Sequence, residues 1–161
     1  MGVTFHYDKQ IFNKIADVVN AAGLDAVKYA VQRGITEARE NLTNDGSISD
    51  GNLRRSITGQ AFMDREGVSM GIIGSALKYA PYVEYGTRPH FPPVSALYDW
   101  VRKKLGISGE KLIKSISFLI ARKISKVGTY ASPYLTPAID NQSRKLGGYL
   151  KAKITEIKII K

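Results

Sequence analysis

Residues 79–93 read Tyr-Ala-Pro-Tyr-Val-Glu-Tyr-Gly-Thr-Arg-Pro-His-Phe-Pro-Pro, and this stretch divides the chain. It holds Pro81, Pro89, Pro92 and Pro93, four of the six prolines, together with three tyrosines, one phenylalanine and His90. Each proline lacks an amide hydrogen and fixes its own φ, so no long helix or central strand runs through the segment. Pro89 and Pro92 also push Arg88 and Phe91 toward extended backbone. The expectation is a stiff aromatic loop, with room for a short helical turn only around Tyr82–Tyr85. Stiff aromatic side chains lose little entropy when a second surface covers them, which suits a contact site as well as a packed loop.

Upstream of the loop, apolar residues recur at helical spacing from Ile11 through Ile15, Val18, Ala22, Val27, Val31, Ile35 and Ala38 to Leu42. Asp8 is a suitable N-cap and Asn44-Asp45-Gly46 a stop, giving a helix over 8–43. Gly23 either splits this helix or bends it. A stripe this long requires a broad partner, such as a sheet or a neighbouring subunit. Residues 43–52 are rich in turn formers and read as mobile. Two short apolar runs around Asp64-Arg65-Glu66-Gly67 then predict an antiparallel hairpin within 53–74, with Val68, Met70 and Ile72 on one face.

Downstream, residues 94–127 read as two helices. Val94, Leu97, Tyr98, Val101 and Leu105 stripe the first, which Gly106 closes, and Trp100 stands outside the stripe. The second places Leu112, Ile113, Ile116, Leu119, Ile120, Ile124 and Val127 on one side, with Lys123 snorkelling from within that arc. Phe118 points away, among Lys111, Lys114 and Arg122. A second connector bearing proline and tyrosine, 128–137, leads to a last helix over 138–157, weakened by Gly147-Gly148. The β-branched end, Ile154 to Lys161, is also compatible with a strand.

A chain of 161 residues with 43% apolar and 24% charged residues suits one domain with a moderate core. No apolar run approaches the length needed to span a membrane, and the first residues lack the pattern of a secretory signal. Cysteine is absent, which removes disulfides and thiolate metal ligands. The net charge of +10 is concentrated: residues 1–99 carry 10 basic and 11 acidic side chains, whereas residues 100–161 carry 14 and 3. Such an excess suits either a solvated lysine-rich face or a polyanion-facing surface, with Lys111, Lys114, Arg122, Lys151 and Lys153 as candidate contacts for DNA.

Catalytic chemistry finds no support in the residues. Gly67-Val-Ser-Met-Gly71 matches the nucleophile-elbow pattern, but its serine continues a strand, and no aspartate lies between Ser69 and His90. His6 and His90 are too far apart in sequence to suggest a metal site. Glu84 is the only carboxylate between Glu66 and Asp99, and an ion pair with Arg88 is its expected role. The sequence therefore reads as a non-enzyme needing no cofactor.

Three segments taken together resemble a known family. They are Gly51-Asn-Leu-Arg-Arg-Ser-Ile57, the 79–93 stretch, and Ile120-Ala-Arg-Lys-Ile124 with Gly128-Thr129 and Ser132-Pro-Tyr-Leu-Thr-Pro-Ala138. Their order and spacing are similar to the neck and tail-component proteins of long-tailed bacteriophages, the head–tail joining and tail-completion group. The resemblance covers roughly residues 50–140. It implies an α+β fold in which a long N-terminal helix packs on a small antiparallel β-sheet, with further helices after the central proline-rich loop. It also implies a non-enzymatic virion part, made in the host bacterial cytoplasm, that forms a ring of identical subunits between head connector and tail. Expected partners are the chain itself and the connector or head-closure and tail-tube or tail-terminator proteins. A stand-alone nucleic-acid-binding module is the competing reading. Candidate interface residues are Tyr79, Tyr82, Glu84, Tyr85, Gly86, Thr87, Arg88, His90, Phe91, Trp100, Phe118 and Tyr134.

Overall fold

The computed structural model describes residues 9–44 and 51–157, apart from the side chain of Phe12. Asp8, Asp45-Gly46, most of the turn-rich 43–52 segment and the tail beyond Ile157 lie outside the described residues. The elements run α1 (Lys9–Asn44), α2 (Asn52–Ser56), β1 (Ile57–Met63), β2 (Ser69–Ser75) and α3 (Ala80–Tyr85). A single 3-10 turn (Val94–Leu97) then leads into α4 (Tyr98–Leu105), α5 (Glu110–Val127) and α6 (Leu135–Glu156). The fold is α+β, with a long N-terminal helix, a two-stranded antiparallel sheet and later helices. Residues 154–156 end α6 as helix, so the strand alternative does not hold there.

The chain divides into two compact units. One comprises Met1–Ile35, Gly59–Ile73 and Ile139–Lys161; the other comprises Thr36–Thr58 and Gly74–Ala138.

In the first unit α1 runs unbroken through Gly23, which therefore neither splits nor ends it. Ala22, Ala26, Val27, Ala30, Val31 and Ile35 are buried along its inner face. The hairpin turn is set by Asp64, whose Oδ1 accepts the N–H groups of Glu66 and Val68 at 2.9 and 2.8 Å. Gly67 takes the positive φ of 83° that this turn requires. The face of the hairpin that meets α1 is built from small residues. A Cβ on Gly71 would lie 2.6 Å from Val31 Cγ2, and one on Gly59 2.9 Å from Val31 Cγ1 and 2.6 Å from the Ile72 carbonyl. Helix and sheet approach closely because at Gly59 and Gly71 the sheet presents no side chain, and Ile73 of β2 in turn reaches the α1 backbone at Gly34.

Gly59→Ala is therefore expected to overpack this contact and cost about 1–3 kcal/mol. A urea midpoint unchanged from wild type would show that the approach is not tight.

Strand alternation places Val68, Met70 and Ile72 on the opposite face, as the sequence pattern requires. That face is exposed: the three residues stand 53%, 44% and 52% accessible. The apolar residues Val68, Met70 and Ile72 thus mark the outer face, and the inner face of β2 carries Ser69, Gly71, Ile73 and Ser75. Tyr29 on α1 packs edge-on against Tyr149 on α6, with ring centroids 4.8 Å apart.

In the second unit Ala38, Leu42, Leu53, Ile57, Val101, Ile113, Ala121, Tyr134 and Ala138 are buried. Arg39 Nη2 donates to the Ile57 carbonyl at 2.8 Å, tying α1 to the start of β1. The buried line of α5 is Ile113, Ser117 and Ala121, flanked by half-buried Ile116, Ile120 and Ile124. Leu112, Leu119 and Val127, expected in the apolar stripe, are 53%, 60% and 55% exposed. The reason is steric: small side chains at 117 and 121 admit a close neighbour, and the packed face turns toward them. Lys123 is exposed, as snorkelling requires. In α4, Val101 is fully buried whereas Leu105 is 48% exposed next to the left-handed cap Gly106.

Candidate functional site

The 79–93 stretch begins as α3, a short helix with Pro81 in its first turn, where a missing amide hydrogen costs nothing. Its last turn carries Glu84, only 4% exposed. One carboxylate oxygen, Oε2, accepts the N–H groups of Tyr134 and Leu135, and Oε1 accepts that of Thr136, each at 2.9 Å. These are the first amides of α6, which have no partner within a helix. Position 137 is proline and has no N–H to offer. A carboxylate here also meets the positive end of the helix dipole. Glu84 thus ends one helix and caps another 50 residues on.

The energetic balance appears in its acidity. Burial alone raises the carboxyl pKa. The hydrogen bonds from the Thr136 side chain and the Leu135, Thr136 and Tyr134 amides outweigh it and hold the pKa below the usual glutamate value. The expected ion pair with Arg88 does not form; a carboxylate satisfied by backbone donors needs no counter-ion at the surface.

Two Gly-Thr dipeptides meet directly after this cap. Thr87 and Thr129 form an isolated antiparallel bridge. The Thr87 N–H donates to the Thr129 carbonyl at 3.1 Å, and the Thr129 N–H donates to Thr87 Oγ1 at 3.0 Å. The two hydroxyls are themselves 3.0 Å apart. Gly86 (φ 72°, ψ −172°) and Gly128 (φ 73°, ψ −160°) occupy a backbone region open essentially to glycine alone. A Cβ on Gly86 would strike the Thr129 carbonyl, and one on Gly128 would strike that of Thr87. Each glycine therefore makes room for the other dipeptide's backbone.

Further bonds fix the surroundings. The Ser132 N–H donates to the Val83 carbonyl at 2.9 Å, and Asn41 Nδ2 of α1 donates to the Tyr134 carbonyl at 3.0 Å. Tyr134 is 3% exposed, and burial raises its phenol pKa, with the Glu84 charge adding to the effect. Glu84 and Tyr134, both named as interface candidates from sequence, lie in the interior of this unit. Glu84 is buried where it accepts the amides at the start of α6, and the Tyr134 backbone both donates to it and accepts from Asn41.

The same unit carries a set of exposed aromatic side chains. Tyr79 is 43% exposed, Tyr82 61% and Tyr85 75%. Phe91 and Phe118 are about half exposed and meet edge to face, with ring centroids 6.2 Å apart. Trp100 is 37% exposed. Tyr130 is the most exposed of all at 84%, and the sequence reading did not single it out. Its signal was present in the repeated Gly-Thr, since Tyr130 follows the second as Tyr85 precedes the first. Arg88 and His90 are exposed, and His90 Nδ1 lies 2.9 Å from the Arg88 carbonyl.

The candidate polyanion contacts are less coherent. Lys111, Lys114 and Arg122 lie on α5, and Lys151 and Lys153 on α6, in separate units. Lys114 pairs with Glu110 at 2.6 Å and Lys153 with Glu156 at 2.8 Å, each within its own helix. Among the described residues no cluster of histidine and carboxylate side chains could hold a metal ion. No helix among the described residues is long and apolar enough to cross a membrane.

Comparison with known proteins yields one family. Residues 9–86 match the HK97-gp10-like family, described as "Bacteriophage HK97-gp10, putative tail-component". No curated protein and no solved structure matches the chain. The matched residues take in α1, which the motif resemblance had left aside, and stop at Gly86, before the second Gly-Thr dipeptide. This match supports the tailed-phage tail-component family that the motifs resemble, and residues 9–86, a little under half of the chain, carry it.

Proposed function

We propose that this protein is a non-enzymatic virion part that assembles as a homo-oligomeric ring at the phage head–tail interface or tail end. The observation that carries this reading is the exposed aromatic set on a backbone that Glu84 and the two Gly-Thr dipeptides hold in place. An aromatic surface on a rigid support has little conformational freedom left to lose when a partner covers it. Interfaces draw much of their energy from a few such side chains. Connector or head-closure and tail-tube or tail-terminator proteins are the partners that this position in the particle supplies. Contact with packaged DNA through the basic residues of α5 and α6 is a secondary reading, resting on charge alone.

Tyr82→Ala combined with Tyr85→Ala is expected to leave helix content and melting temperature nearly unchanged, because both side chains already face solvent. Association, with itself or with connector and tail-tube proteins, should weaken on the order of tenfold or more. Size-exclusion chromatography with static light scattering reads both. A wild-type monomer alone and with those partners would overturn the proposal.

A further inference from the structure

We infer that the outer face of the hairpin, Val68, Met70 and Ile72, seats on the N-terminal stripe of α1, Ile11, Ile15 and Val19, in a second copy of this chain. The inference rests on the assembly reading and identifies a contact within it. Both patches are apolar and exposed: the hairpin residues at 53%, 44% and 52%, the helix residues at 50%, 40% and 41%. At 100° per residue Ile11, Ile15 and Val19 lie within an arc of about 80°, so they form one stripe.

The two patches cannot satisfy each other within one chain. The inner face of the hairpin already holds α1 through Gly59 and Gly71 against Val27 and Val31. Strand alternation then turns Met70 and Ile72 away from their own helix. A seven-residue strand spans about 23 Å, whereas α1, with 36 residues, extends about 54 Å. The apolar spacing of α1 therefore continues well past the sheet that covers it. The chain already uses helix-on-sheet packing once, and each copy carries one further helix stripe and one further sheet face.

Charge favours the same pairing. Lys9, Lys14 and Asp17 leave this end of α1 with a net positive charge, and Asp64, Arg65 and Glu66 leave the turn beside Val68 with a net negative one. Two different patches meeting between copies make a heterologous contact, which repeats from copy to copy rather than ending at a dimer and forms a ring where the rotation closes. The six side chains form too small a patch for a stable interface by themselves. The contact therefore acts together with the aromatic surface of the other unit.

The cysteine-free sequence gives a clean background for the test. Tagged Ile15→Cys protein is mixed with untagged Ile72→Cys protein and oxidised mildly. The mixed disulfide dimer is expected to exceed either homodimer, and the double variant Ile15→Cys/Ile72→Cys should give a ladder of higher oligomers. Ile72→Lys should weaken self-association on the order of tenfold with circular dichroism unchanged. Homodimers in excess, or full association of Ile72→Lys, in a protein that scattering shows to be oligomeric would overturn this contact and leave the assembly reading standing. A monomer under all conditions, with connector and tail-tube proteins included, would overturn both.

Discussion

Glu84→Ala is expected to destabilise the protein by about 3 kcal/mol or more, with no change in surface shape. The substitution removes one acceptor group from three amides at once, those of Tyr134, Leu135 and Thr136. Hydrogen bonds to a charged group contribute roughly 1.5–3 kcal/mol each, and buried donors left without partners cost more than the bond itself. Water entering the vacated space would recover part of this. Glu84→Gln tests the charge separately: its amide nitrogen would face one of the backbone donors, so it should recover less than half of the loss. Chemical denaturation of the three proteins reads the series directly. A Glu84→Ala midpoint equal to wild type would show that α6 does not depend on this cap.

The same residue sets an acid limb to stability. Its folded pKa is held below the unfolded value, so its contribution is complete above the usual glutamate range. As pH falls through the folded pKa, protonation of the carboxyl removes it. Wild type should therefore lose stability below that range more steeply than Glu84→Gln, and the gap between the two should close in acid. A constant gap would mean that the charge is not what holds α6.

These roles were only partly legible from sequence. The spacing from Val27 to Leu42 specified α1, because helical periodicity records burial along one element. The turn at Asp64–Gly67 specified the hairpin, because a positive φ there calls for glycine. Sequence pairs Glu84 with Arg88, four residues away, because it shows neighbours and not acceptors for amides 50 residues on. No periodicity encodes a bond from a side chain to a distant backbone. The packed face of α5 departs from the sequence stripe for a related reason. Large apolar residues dominate any helical wheel or strand count, whereas the packed faces here depend on Gly59, Gly71, Ser117 and Ala121, whose smallness permits close approach. The aromatic set was visible as composition, but its division into buried Tyr134 and exposed Tyr82, Tyr85 and Tyr130 depended on where α6 begins.

Gly128→Ala should be the most damaging single-methyl addition in the chain. Two costs act together. The backbone at φ 73°, ψ −160° lies where non-glycine residues incur about 1–3 kcal/mol. The new Cβ would also strike the Thr87 carbonyl, a backbone atom that cannot swing aside as a side chain would. Overpacking of this kind adds about 1–3 kcal/mol, bringing the expected loss to about 2–6 kcal/mol. That is a large part of the 5–15 kcal/mol that holds a typical domain together. Gly106→Ala is the matched control: φ is 64° there, yet no atom lies within 4 Å of the added Cβ, so only the left-handed backbone penalty of about 1–2 kcal/mol applies. The difference between the two variants isolates the steric part. Relief of the clash at 128 would require the Thr87–Thr129 bridge to open, carrying Tyr85 and Tyr130 with it, so association should fall along with stability. Equal melting temperatures for the two variants would show that the dipeptides do not press against each other, and the rigidity claimed for the aromatic surface would lose its cause.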